Sequence, residues 1–250
     1  MDESVFHDPR AYYHAQVADT PRLWRRLGGA PNVAGLDVLD FGCGHGALSR
    51  DSAERGARSV LGVDLSEQRI RFARDNVQPL HPDVIRFELA DVRALPPDEH
   101  FDVVISKDTF EHVSPLPETL SALVQRLRPA GRLVLGFSPL WYSPWGDHGE
   151  LGSKLPWAHV FAGEKPVLAR FNERNASSCT SLPEAGYNML RPRDYFTAFA
   201  SQPLVTERLA INPHEGGVKG VMMDIFRALR AVPGLEPYTT VGIYGVWRKT

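Results

Sequence analysis

Cysteine is scarce in this chain. There are two, Cys43 and Cys179, far apart and without a metal-ligand spacing. That excludes a disulfide framework and a cysteine-based zinc site, and it fits free thiols in a reducing compartment. Charge of one sign is lacking too. A formal net charge of -2 offers no basic surplus of the kind that draws a protein to nucleic acid or to an anionic bilayer. No apolar run reaches the roughly 18 residues of a membrane-spanning helix. The opening residues Met1, Asp2, Glu3 and Ser4 have no apolar h-region, which argues against a secretory leader. No internal repeat or low-complexity tract is visible. These absences leave a cytoplasmic protein of 250 residues, long enough to bury a sizeable core in one domain with an insertion.

What is present is organised around Val38–Ala47. An apolar run, the acid Asp40, and glycines at 42, 44 and 46 read as a buried strand that breaks into a tight turn and opens a helix. Glycine is needed where φ is positive or where a ligand approaches the backbone. A helix start leaves unpaired N–H groups that suit the polar end of a small ligand. Gly42-x-Gly44-x-x-Ala47 satisfies the dinucleotide fingerprint, so a nicotinamide-dependent oxidoreductase is one reading. Asp40 argues against it, because a carboxylate beside the turn repels a pyrophosphate and favours a cationic ligand. A Tyr-x-x-x-Lys pair for hydride chemistry is also missing.

The rest of the chain alternates strands and helices. Leu36–Phe41, Ser59–Asp64, Val84–Ala90, Phe101–Ser106 and Arg132–Phe137 read as strands, the fourth apolar enough to be covered on both faces. Ser66 caps a helix whose apolar face is Ile70, Ala73 and Val77. Leu116–Leu127 is a second helix, and Pro129-Ala130-Gly131 turns the chain. This order predicts a parallel sheet with right-handed crossovers and ligands at the strand C-terminal ends. Asp64 lies about 20 residues beyond the glycine turn, where an acid accepts hydrogen bonds from ribose hydroxyls.

Leu39-Asp40-Phe41-Gly42-Cys43-Gly44-His45-Gly46 resembles the first motif of the class I S-adenosylmethionine (SAM) dependent methyltransferases, with Phe41 and His45 less usual choices. Phe101-Asp102-Val103-Val104, Glu111-His112-Val113 and Arg126–Leu133 resemble further motifs, with Ala130 where a glycine is usual. The resemblance covers about residues 36–137. It implies an α/β fold: a doubly wound, mostly parallel seven-stranded sheet with an antiparallel last strand. It further implies SAM contacts from Asp40, Gly42, Cys43, Gly44, Gly46, Asp64, Leu65, Lys107 and His112. At the third strand end, Asp91 and the Val92 N–H meet the adenine.

Four segments follow for one methyltransferase domain over 1–250. Residues 1–35 are a lead of one or two short helices with Pro21 at a helix start; Tyr12, Tyr13 or His14 either pack on the sheet or touch cofactor. Residues 36–137 bind cofactor. Residues 138–191, rich in Pro, Trp and His and without a sustained period, form an aromatic cap or a dimer contact. Residues 192–250 complete the sheet, with helix Pro192–Ala200, strand Leu204–Ile211, helix Val218–Val232 and strand Tyr238–Trp247. Met222 and Met223 read as core.

Methyl transfer from a sulfonium is an in-line displacement with a neutral leaving group, so alignment and desolvation do much of the work. A hydroxyl acceptor gains from a base, and histidine is the natural one. His112, His148, His159 and His214 are candidates. His159, among apolar neighbours, is the preferred substrate-facing base, and His148 is either oriented by its neighbour Asp147 or simply solvated. Asp147, His148 and His159 lack a metal spacing, and the strand-end Asp-Asn pair of the family's metal-dependent branch is missing, so no metal is expected. Ser106-Lys107-Asp108-Thr109 stands where an Asn-Pro-Pro-Tyr element would mark nucleic-acid or protein amides. The expected acceptor is a small molecule, through a hydroxyl of a metabolite or sugar unit, with N-methylation open. No nucleic acid or membrane partner is expected, and the protein is a monomer or homodimer. A non-catalytic SAM-binding scaffold is the remaining reading.

Overall fold

The computed structural model describes residues 8–250. The opening Met1–Ser4 stretch lies outside them. The first helix, α1 (Pro9–Leu27), is capped by Asp8, whose side chain accepts the Arg10 N–H at 2.9 Å, and it ends at Gly28 with φ 82°. The lead therefore forms one long helix that runs through Pro21, not short helices that restart there. Two things carry the helix past the proline. The Thr20 hydroxyl donates to the Gln16 carbonyl at 3.0 Å beside the missing N–H, and Leu23, Trp24 and Leu27 bury the turn beyond.

The sheet is built from β1 (Asp37–Phe41), β2 (Ser59–Asp64), β3 (Ile85–Leu89), β4 (Phe101–Lys107), β5 (Leu127–Phe137), β6 (Leu204–Ile211) and β7 (Ile243–Lys249), in spatial order 3-2-1-4-5-7-6. The pairings from β3 through β5 are parallel, and β7 runs antiparallel to both β5 and β6. Strand order reverses between β1 and β4, so a crevice opens there at the C-terminal edge. The turn expected at Pro129–Gly131 falls inside β5. Ala130 takes φ 62° and the pairing with β4 shifts register nearby, so the bend is absorbed within the strand.

Helices α2 (Ala47–Glu54), α3 (Glu67–Asn76), α4 (Leu116–Arg126) and α7 (Pro192–Ala200) flank the sheet. One apolar cluster is centred on Leu39, Val104, Leu120, Leu133 and Phe110. The other joins Val38, Val60, Ile105 and Phe87 to Leu23 and Trp24 of α1. Burial of these faces dominates the folding free energy at about 25 cal/mol per Å² of apolar surface.

Residues 138–191 hold two helices that their irregular pattern hides, α5 (Ala158–Ala162) and α6 (Glu164–Asn175). The segment has its own small core of Trp141, Val167, Leu182 and Tyr187. Helix α8 (Gly217–Leu229) departs from expectation. Phe226 is its one buried large apolar residue, while Val221 and Ile225 are 61% and 53% exposed and neither methionine is buried. It stops at Leu229, before the expected Val232, and the short α9 (Glu236–Thr239) leads into β7. Among the described residues no helix is long and apolar enough to cross a membrane.

Candidate functional site

The glycine turn after β1 needs its glycines for two separate reasons. Gly42, at φ 70°, lies against the segment that follows β4, and a Cβ there would meet the Thr109 side chain at 2.4 Å. Gly44, at φ 53°, has nothing within 4 Å of that position, so its backbone faces open space a ligand can reach. Its N–H donates to Asp64 Oδ2 at 2.9 Å, and Asp64 Oδ1 accepts the Ser66 N–H at 2.8 Å. The Asp64 carboxylate is thus fixed at the β2 tip, half-buried, beside the turn. Leu65, which follows it, is 74% exposed.

Asp40 does not present an open charge to that space. It is 1% exposed and accepts the Ser49 hydroxyl at 2.6 Å. Burial pushes its pKa up to about 7, with the Ser49 bonds opposing and the Asp64 charge adding. Its role in choosing a cation over a pyrophosphate is correspondingly reduced: a carboxyl that titrates near neutrality and sits under the turn fastens α2 to β1. Cys43 is buried, and burial together with the Asp40 and Asp64 charges pushes its thiol well up, which makes it an inert filler.

Asp91 closes β3. Its carboxylate caps the Arg93 N–H at 2.8 Å and is forked by the Arg93 guanidinium, which holds its pKa below the usual range. Val92 is buried, with 1% of the residue exposed. Lys107, at the β4 tip, reaches back to α1, with Nζ 2.7 Å from Gln16 Oε1 and 2.8 Å from Asp19 Oδ2. The N-terminal half of α1 is thereby held over the crevice. Tyr12 sits there with its ring 5.3 Å from His45, whose other side meets Phe72. Tyr13 is buried against Phe72 and packs instead.

Beyond Lys107 the chain makes a 3-10 turn at Phe110–His112. Asn188 of the cap fixes it by donating to the carbonyls of Phe110 and Val113 at 2.8 and 3.0 Å, while Asn188 Oδ1 accepts the Tyr195 hydroxyl. Asp108, His112 and His148 are exposed to solvent. His112 of the sheet edge and His148 of the cap meet here across a solvent-facing cleft. Burial raises Asp108 to about 6, the Lys107 charge opposing it. His112 Nδ1 lies 2.7 Å from the Gly186 carbonyl, and its ring centroid is 4.9 Å from that of His148. Burial and the neighbouring His112 and His159 drive His148 down to about 3.

His159 is a correction to the sequence reading. It is 1% exposed, inside the cap, with Nε2 2.6 Å from the Trp141 carbonyl and Nδ1 3.7 Å from Asp147 Oδ1. It does not face the cleft and has no path to a substrate in this conformation. Its apolar neighbours signalled burial, not access. Asp147 does not orient His148 either: its carboxylate takes the Gly149 and Leu151 N–H groups of its own turn. His214, near α8, pairs with Asp224 away from the crevice. The sequence reading passed over Glu111, which is 4% exposed and whose two oxygens have no hydrogen-bond partner among the described residues. The only signal was its place in Glu111-His112-Val113. Glu111, His112 and His148 bring their ligand atoms within 4.8 Å of one another.

Residues 38–131 match the profile of a family described as a methyltransferase domain. Among curated proteins, the 27-O-demethylrifamycin SV methyltransferase of Amycolatopsis mediterranei is 37% identical over 130 residues, 51% of this chain and 48% of the relative. The ubiquinone biosynthesis O-methyltransferase of Nitrosospira multiformis is 35% identical over 101 residues, 40% of this chain and 41% of the relative. The chain spans about half the length, or less, of these curated relatives. A SAM-dependent methyltransferase structure from Mesorhizobium loti superposes with a TM-score of 0.60 at 23% identity, covering 93% of this chain and 98% of that one. At that identity the likeness speaks for the fold alone.

Proposed function

We propose, from the match of residues 38–131 to a family described as a methyltransferase domain, that the protein is a class I SAM-dependent methyltransferase and transfers the methyl group to a small-molecule acceptor, through a hydroxyl. What supports this reading is that two groups of residues stand at the C-terminal edge of the sheet, on either side of the β1–β4 switch point. One is Gly44 beside the Asp64 carboxylate, and the other is Asp108, His112 and His148 at the cleft. In the proposed arrangement Asp64 accepts from the ribose hydroxyls, Leu65 and the Val92 N–H flank the adenine, and the turn from Gly42 to Gly46 takes the methionine end. Asp91 binds the adenine amine only by sharing its carboxylate with Arg93. Lys107 acts indirectly, by holding α1 over the cofactor.

The sulfonium methyl then points toward the cleft. The acceptor oxygen attacks the methyl carbon in line, and the C–S bond breaks with its electron pair moving to sulfur. Enclosure by the cap strips water from the nucleophile. A cleft bounded by the Asn188–Phe110 and His112–Gly186 contacts suits a compact acceptor more than a polymer. The relatives' names support a hydroxyl acceptor, one being an O-methyltransferase, although ribosomal protein L11 methyltransferases also match this chain.

The test is a thermal-shift comparison of S-adenosylhomocysteine (SAH) with NADH, followed by radiolabelled SAM turnover on a panel of small hydroxylated and amino acceptors. SAH stabilises the native state and NADH does not, and label moves to a hydroxylated compound. Stabilisation by NADH alone contradicts the proposal.

A further inference from the structure

We propose that Glu111, His112 and His148 bind one divalent transition-metal ion in the cleft, and that its remaining coordination positions take the acceptor's oxygen. This rests on the methyl-transfer reading for its purpose, but the site itself stands on four observations.

The ligand atoms of the three residues already lie within 4.8 Å of one another. Two imidazoles and one carboxylate on one side of an ion, with the other side open, is a donor set that suits zinc and iron-group divalent ions. Bond lengths of about 2.1 Å draw these atoms further inward. His148 stands on a cap turn at φ 53° and supplies the movable arm.

Glu111 is buried, and neither oxygen has a hydrogen-bond partner among the described residues. A buried carboxyl without hydrogen-bond partners is costly, and a cation bound to it offsets that cost.

His112 is prepared as a ligand. A carbonyl can only accept, so the 2.7 Å contact with Gly186 places the proton on Nδ1 and leaves the Nε2 lone pair free. Metal-ligating histidines are commonly held this way by a backbone carbonyl.

His148 brings the second imidazole from the cap, its ring centroid 4.9 Å from that of His112. With His159 sealed in the cap, a cation in this position offers a means of activating a hydroxyl. The coordinated O–H loses its proton to water, the oxygen lone pair forms the new C–O bond, and the methyl–sulfur bond breaks to give neutral SAH. No oxidant or reductant is involved. Because Glu111 and His112 come from the sheet edge and His148 from the cap, the same ion staples the cap shut.

The experiment uses the full chain stripped with chelator and titrated with Co2+ alone, read by visible absorption. Wild type is expected to take up one saturating equivalent. Glu111→Gln and His148→Ala are each expected to weaken uptake at least tenfold while SAH binding persists. Co2+ is also expected to raise the unfolding temperature of wild type and not of Glu111→Gln. No saturable uptake, or uptake unchanged in both variants, overturns the proposal. Loss of the metal site with SAH binding intact leaves the methyltransferase reading standing. Metal uptake without SAH binding removes that reading instead.

Discussion

The backbone N–H of Gly44 donates to the Asp64 carboxylate at 2.9 Å, tying the glycine turn of β1 to the tip of β2. One oxygen is engaged by Gly44 and the other by Ser66, yet each has lone pairs to spare. On the proposed assignment these accept the two ribose hydroxyls. Replacing Asp64 with Ala is expected to weaken SAM binding 10- to 100-fold, from charge-assisted bonds of about 1.5–3 kcal/mol. Calorimetry with an unchanged dissociation constant rejects the assignment.

His159 holds the cap together. His159→Ala removes the bond to the Trp141 carbonyl and opens a cavity beside the Trp141 ring, whose centroid lies 5.1 Å away. The expected cost is about 2–4 kcal/mol. Faster proteolysis between residues 138 and 191, with SAH affinity retained, is the expected outcome. A stable cap with abolished turnover would restore His159 as a catalytic residue.

Asp40 makes stability depend on pH. Its folded pKa, raised to about 7, exceeds the ordinary value of 3.8, so the folded state holds the proton more tightly than the unfolded one. That contribution is fully present below the unfolded value and is lost as pH rises through about 7. Across this window stability falls with a slope of up to about 1.4 kcal/mol per pH unit from this group. Denaturant unfolding between pH 4 and 8 is expected to show a flatter profile for Asp40→Asn than for wild type. Parallel profiles contradict the assignment.

Asp19 anchors the near half of α1 through Lys107 at 2.8 Å, whereas the far half is held by buried Leu23, Trp24 and Leu27. Asp19→Ala is therefore expected to speed amide exchange in Pro9–Thr20 and to leave Leu23–Leu27 protected. Uniform exchange along the helix tells against the clamp.

Much of this was legible in the sequence because local chemistry dictated it. The glycines of the turn, the acid at each of three strand tips and the near-continuous apolar run of β4 fix their elements without help from distant residues. What escaped depends on partners far along the chain. His159 sits in an apolar context that foretells burial, but its partner is the carbonyl of Trp141, which no pattern reveals. Asp40 has the spacing of a ligand-facing acid and is instead capped by Ser49. Glu111 and His112 stand in a motif, while the residue that completes their cluster, His148, comes from a cap turn whose fold has no periodicity. Helix α8 has an apolar stripe, but nothing local says that the rest of the fold leaves most of it uncovered.

The central claim is that the space beside the Gly44–Asp64 bond holds an adenosyl sulfonium. A crystal structure with SAH bound tests it most directly. The account predicts both ribose hydroxyls on the Asp64 carboxylate and the sulfur directed at the cleft of His112 and His148. An SAH-soaked crystal with this space vacant, or a pyrophosphate ligand bound there instead, contradicts it.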